Sequence, residues 1–102
     1  MTTPEGKVKV KVKKLLKEFN AYQFWPVQSG MGAKTLDCLI CFRGTFISVE
    51  TKAPNKQPTP LQHATIREIE GAGGHCLVVN SEETLDELRK LLLEVRDGTC
   101  VS

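Results

Sequence analysis

Residues 36–52, "LDCLICFRGTFISVETK", decide the fold. Two apolar-rich runs, "LDCLICF" and "TFISVETK", flank Arg43-Gly44, where a tight turn closes a β-hairpin. Side chains alternate along a strand, so Asp37, Leu39 and Cys41 share one face, as do Phe46, Ser48, Glu50 and Lys52. A turn at Arg43-Gly44 pairs Phe42 with Thr45, and the same register carried back pairs Asp37 with Glu50. The two acids are then expected to face each other across the ladder, with Lys52 diagonal to Asp37. Like charges directly opposite destabilise a hairpin, and a buried charge is costly unless paired or bound to a metal. Two readings fit. A divalent cation sits between the carboxylates, since hard cations take one or two carboxylates with phosphate oxygens and water. Alternatively, the acids form an exposed pair on a solvent edge, with Lys52 as their salt-bridge partner. A slip of one residue would turn one strand over and dissolve the constellation.

The flanking segments supply helices and two further strands. In "TTPEGKVKVKVKKLLKEFN", Thr3 is a candidate N-cap, Pro4 suits the first turn, and Val8, Val12, Leu15, Leu16 and Phe19 recur at helical spacing. The "KVKVKVK" run also alternates with period two, so a strand competes there. "AYQFWPVQ" reads as a strand whose Pro26 marks an edge or bulge. Packing is the expected role of its Tyr22, Phe24 and Trp25, with base stacking as the alternative. "SGMGAKT", with Gly30, Met31 and Gly32, is a loop leading to Asp37, and "APNKQPTP" is a polar loop. Thr59 and Pro60 open a helix that runs to about Glu70 and stops at "GAGG". "HCLVV" is a continuous apolar run, expected to be a buried central strand. Asn80 or Ser81 caps a last helix with an apolar stripe at Leu85, Leu88, Leu92 and Val95. The order is α-β-β-β-α-β-α, an α/β (α+β) domain with a mixed central sheet flanked by helices. The domain is expected over residues 1–96, with 97–102 as a flexible tail.

At 102 residues, 40% hydrophobic and 25% charged, the chain has the length and balance of one globular domain with a modest core. No apolar run approaches the ~20 residues that span a bilayer, so no membrane is expected. The N-terminus is charged and has no apolar signal core. Cys38, Cys41, Cys76 and Cys100 are therefore expected as reduced thiols in a cytoplasmic protein. Cys38 and Cys41 lie three apart on a strand, so they point to opposite faces and do not share a metal; His63 and His75 are expected to be structural or surface residues. Residues 1–60 hold ten Lys/Arg against four Asp/Glu, and residues 61–102 hold four against eight. That asymmetry suggests a face for a polyanion. Lys7, Lys9, Lys11, Lys13, Lys14 and Lys17 would line the first helix as phosphate contacts or as a plain solvated face.

Asp37, twelve intervening residues, and then "ETK" at Glu50–Lys52, inside α-β-β-β-α-β, resembles the PD-(D/E)XK nuclease superfamily. The small size, the "GTFISVETKAP" strand and "PTPLQ" with Gln62 opening the next helix are similar to a stand-alone VRR-Nuc (virus-type replication-repair nuclease) domain of the kind found in bacteriophages. The resemblance covers roughly residues 3–80. It implies Mg²⁺ or Mn²⁺ bound by Asp37, Glu50 and the backbone carbonyl of Thr51. It makes Lys52 the catalytic lysine and Gln62 a supporting or substrate-contacting residue. Glu5 matches an acid that the family often places on the first helix, facing the metals. Two positions depart from the pattern: Leu36 stands where a proline usually precedes the aspartate, and Ile66 where a related motif has tyrosine. Gln62 also completes a capping box with Thr59, and Glu5 also suits a first helical turn by its charge.

The resemblance implies a metal-dependent endodeoxyribonuclease acting on branched DNA, such as four-way junctions, as a homodimer, in host cytoplasm if phage-encoded. The alternative is a non-catalytic DNA-binding module that keeps the nuclease fold.

Overall fold

The computed structural model describes residues 3–27 and 34–98, so the Gly30–Met31–Gly32 segment, Cys100 and the last four positions lie outside the described residues. The element order is α1 (Pro4–Glu18), β1 (Tyr22–Phe24), β2 (Cys38–Phe42), β3 (Thr45–Thr51), α2 (Pro60–Gly71), β4 (His75–Val79) and α3 (Glu82–Arg96). This is the α-β-β-β-α-β-α order read from the sequence.

The lysine-valine run is helical. The Thr3 hydroxyl oxygen accepts from the Gly6 N–H at 3.0 Å, and Pro4 fills the first turn, where its missing N–H costs nothing. A strand would have put Val8, Val10 and Val12 on one face. In the helix Val12, Leu15 and Leu16 are buried, while Val10 turns to solvent and is 59% exposed. Burial of that 3.6-period stripe outweighs the local period-two pattern.

The hairpin turns as expected. Arg43 and Gly44 both have positive φ, 50° and 80°, which is the requirement of a type I′ turn. Phe42 pairs with Thr45 and Cys38 with Val49 in an antiparallel ladder. β1 pairs antiparallel with β2, and β4 pairs parallel with β3. The strand order is β1-β2-β3-β4. The "HCLVV" strand is therefore not central: it lies at the edge of the sheet, and four of its five residues are only half-buried. Its continuous apolar run reflects helices packed on both faces rather than strands on both sides.

One face of the sheet carries Cys38, Ile40, Phe42, Ile47, Val49 and Val79, which form the core with α1 and α3. Leu85, Leu88, Leu92 and Val95 of α3 all enter this core, and the Ser81 hydroxyl caps the helix through the Thr84 N–H. The other face receives α2 over β3 and β4. The turn after α2 comes so close to β3 that a Cβ on Gly74 would sit 2.7 Å from Ile69 and 2.9 Å from Phe46. Among the described residues, no helix is long and apolar enough to cross a membrane.

Candidate active site

The hairpin register brings Asp37 and Glu50 together at one end of the sheet. Cys38 opposite Val49 places Glu50 across from Asp37, which lies one residue before β2. Being off the end of the strand, Asp37 does not simply face Glu50. Its Oδ2 accepts from both the backbone N–H and the hydroxyl of Thr51, at 3.0 and 2.7 Å. Its own N–H donates to Glu50 Oε1 at 3.2 Å. The part of Thr51 in holding Asp37 is a feature the sequence reading missed. The register alone could have pointed to it, because Thr51 follows the residue that pairs with Asp37.

Glu50 is 2% exposed. Its Oε2 accepts from Gln62 Nε2 at 2.8 Å and lies 3.6 Å from the Lys52 ammonium. Burial first, and the Asp37 charge second, push its carboxyl up to about 7; Lys52 and the Asp37 amide pull the other way without cancelling them. The acids are therefore no solvent-facing pair, and the Lys52–Glu50 contact is largely shielded from water. Lys52 extends from the end of β3, where its N–H donates to Val79 of β4 at 3.0 Å.

Gln62 caps its helix and also reaches Glu50. The Thr59 N–H donates to Gln62 Oε1 at 2.9 Å and the Gln62 N–H donates to Thr59 Oγ1 at 3.2 Å, which completes the capping box. The amide NH₂ is left to reach Glu50. Ile66 and Leu36, at the two departures from the nuclease pattern, are half-buried and fully buried respectively.

Glu5 is not brought into this group. It lies in the first turn of α1, 3.6 Å from Lys9, and among the described residues no three His, Cys, Asp or Glu side chains cluster as metal ligands. α1 packs on the core face, opposite the face to which Glu50 points. Its N-terminal turn nevertheless reaches the site end of the sheet: Pro4, Lys7, Val8 and Lys11 line a cavity of about 280 Å³ with Pro54 and Asn80. Lys7, Lys11, Lys13, Lys14 and Lys17 are exposed and Lys9 is half-exposed. Lys11 is ion-paired with Glu82, and Lys13 lies over the Trp25 ring.

Cys38 and Cys41 are a core and a surface thiol. Cys38 is buried, which pushes its thiol up to about 12, and Cys41 is exposed on the opposite face. His63 is exposed and His75 half-buried. The expected packing of "AYQFW" fails for two of its aromatics. Trp25 packs against the core, but Tyr22 and Phe24 are 66% and 52% exposed, because among the described residues no helix covers their side of β1 and β2.

An αβββαβα chain with an acid before the second strand, an acid in the third and a lysine two residues on has the fold and motif order of the PD-(D/E)XK nuclease class. Among solved structures it is similar to one titled "VRR_NUC domain", with a TM-score of 0.76 and 25% identity over 87% of this chain and 97% of that one. No family model and no curated protein matches the chain.

Proposed function

We propose that this chain is a Mg²⁺- or Mn²⁺-dependent DNA endonuclease that cuts branched DNA as a homodimer. The observation that carries the reading is the buried Glu50, hydrogen-bonded to Asp37 and Gln62 with the Lys52 ammonium 3.6 Å away, at the end of the hairpin of a nuclease-type fold. The donor set fits a hard divalent cation, because it offers carboxylate oxygen and no sulfur or imidazole. A carboxyl whose ionisation is opposed by burial and by a neighbouring acid also gains most from a cation beside it. Asp37, Glu50 and the backbone carbonyl of Thr51 would hold the ion. When bound, it supplies Lewis-acid stabilisation of the scissile phosphate and makes the attacking water more acidic.

The remaining roles fall to the chain itself. Thr51 holds Asp37 in one orientation. Gln62 holds Glu50, so the two carboxyls stay together as the proton on Glu50 leaves. Lys52 is half-buried and placed to exchange its contact with Glu50 for one with a phosphate oxygen, where it would stabilise developing negative charge. In-line attack would leave a 5′-phosphate and a 3′-hydroxyl. Lys7 and the other α1 lysines would hold flanking backbone, giving salt-sensitive and largely sequence-neutral binding.

The test is a nicking assay on branched and linear DNA with Mg²⁺ or Mn²⁺, run beside Lys52→Ala. Metal-dependent product from the wild type, with none above background from the variant, is expected. DNA bound by the wild type but left uncut with both metals would leave the non-catalytic binding module in its place.

A further inference from the structure

We infer that an unpaired stretch of the DNA substrate lies across the open half of the sheet, with its bases stacked on Tyr22, Phe24 and Phe46. Cross-strand partners share a face, and the register sets Tyr22, Cys41 and Phe46 in one row and Phe24, Leu39 and Ser48 in the next. Glu50 follows Ser48 by one strand repeat on that same face, about 7 Å further along. The aromatic rows therefore lead to the candidate active site. Ser48 is fully buried, but the rings are open: Tyr22 is 66%, Phe24 52% and Phe46 44% exposed. Together they line a shallow apolar groove of about 250 Å³.

Three aromatic rings open to water on one face of so small a chain make an interaction surface. Successive bases of a single strand stack on such rings, whatever the sequence, because every base has a π-face. A paired duplex keeps those faces inside its own stack. The groove is uncharged, but a lysine stands near each of its ends. Lys52 follows Glu50 by two residues at the site end. At the other, Glu68 lines a cavity with Phe46, and the Lys34 ammonium lies 3.7 Å from Glu68. An ion pair as exposed as this one contributes little, so Lys34 is free to exchange Glu68 for a phosphate. Rings for bases with cations for the backbone is the arrangement that holds single strands. Continuity with the site favours this occupant over a protein: a strand whose phosphate reaches Glu50 continues onto the surface beside it. The lysine-rich α1, packed on the other face of the sheet, is left to hold paired backbone. The substrate this selects is a branch with an unpaired arm next to the cut.

This assignment rests on the nuclease reading above for the identity of the polymer, but not on cleavage. The test is the affinity of wild type and of Tyr22→Leu/Phe24→Leu for a short oligothymidylate and for a blunt duplex of the same length. It is run in EDTA to keep cutting out, with circular dichroism as the check on folding. Leucine keeps the apolar surface and removes the rings. Alkylation of Cys41, exposed at the middle of the groove, is read on the wild type with and without the oligothymidylate by peptide mass spectrometry, and does not depend on the variant folding. We expect the variant to lose about tenfold or more in affinity for the single strand and to keep its affinity for the duplex. We expect the oligothymidylate to protect Cys41 of the wild type. Unchanged single-strand affinity in a folded variant overturns the inference, as does equal loss on single strand and duplex. Cys41 that reacts equally with and without the oligothymidylate also overturns it, by placing the strand elsewhere. Cys41 already protected without DNA overturns it too, because the face is then covered by protein. The nicking assay decides the nuclease reading separately: a chain that stacks single strands and cuts nothing keeps this face and loses that reading.

Discussion

Gln62 Nε2 lies 2.8 Å from Glu50 Oε2 while Gln62 Oε1 accepts the Thr59 N–H at 2.9 Å, so one amide both closes the first turn of α2 and fixes the buried acid of the site. The amide cannot flip without losing both bonds. Local helix capping and the candidate chemistry are coupled through a single side chain.

Gln62→Glu separates the two roles. Glutamate can still complete the capping box, but it sets a carboxylate against Glu50. Helix stability should hold within about 0.5 kcal/mol where the new acid is protonated, while cleavage at neutral pH drops sharply. Gln62→Ala should lose about 1 kcal/mol from the cap as well. Chemical denaturation and nicking rates measured together check this; a Gln62→Glu protein that cuts at the wild-type rate would show that the Glu50 contact is idle.

Glu50 makes stability depend on pH. Its folded pKa of about 7 lies above the ordinary 4.5. Between those values the folded chain keeps a proton that the unfolded chain has released, so stability falls as pH rises from about 4.5 to about 7. The loss is on the order of 2–3 kcal/mol, and Glu50→Gln should flatten it. Millimolar Mg²⁺ or Mn²⁺ should raise Tm at pH above 7 and do little near pH 5. Thermal melts across pH, with and without metal, decide this; equal metal effects at both ends contradict it.

Asp37→Asn and Asp37→Ala should differ in folding but not in activity. Asparagine keeps an acceptor for the Thr51 N–H and hydroxyl, whereas alanine leaves both donors without their partner, at a cost of about 1–3 kcal/mol. Both lack the charge and should not cut. Removing the Asp37 charge also removes one cause of the raised Glu50 pKa, which NMR titration of the Glu50 carboxyl should show moving down.

Arg43 holds a left-handed conformation, φ 50°, that a long L side chain adopts at a cost. Arg43→Asn suits the first central position of a type I′ turn ahead of Gly44. It should stabilise the chain by about 0.5–1 kcal/mol, visible as a Tm rise of a few degrees. A fall in Tm would mean that the contact of Arg43 with the Phe42 ring matters more than the backbone strain.

The lysines of α1 should act by position. Lys7 lines the cavity at the site end of the sheet, while Lys17 lies in the last turn of the helix. Lys7→Ala should lower the slope of log affinity against log salt by roughly 1 and Lys17→Ala by less. Equal slopes for both variants and wild type would take the helix out of the interface.

What the sequence determined by itself is whatever rests on neighbouring residues. The two-residue turn at Arg43-Gly44 sets the register, and register puts Asp37 beside Glu50 by strand alternation alone. Thr3, Thr59 and Ser81 start helices through bonds no more than three residues long. Tertiary structure alone decided the burial of Glu50, the reach of Gln62 to it, the edge position of "HCLVV" and the exposure of Tyr22 and Phe24. These depend on where α2 comes to rest. That helix covers β3 and β4 and leaves β1 and β2 open, an outcome of packing between distant segments that local periodicity does not encode.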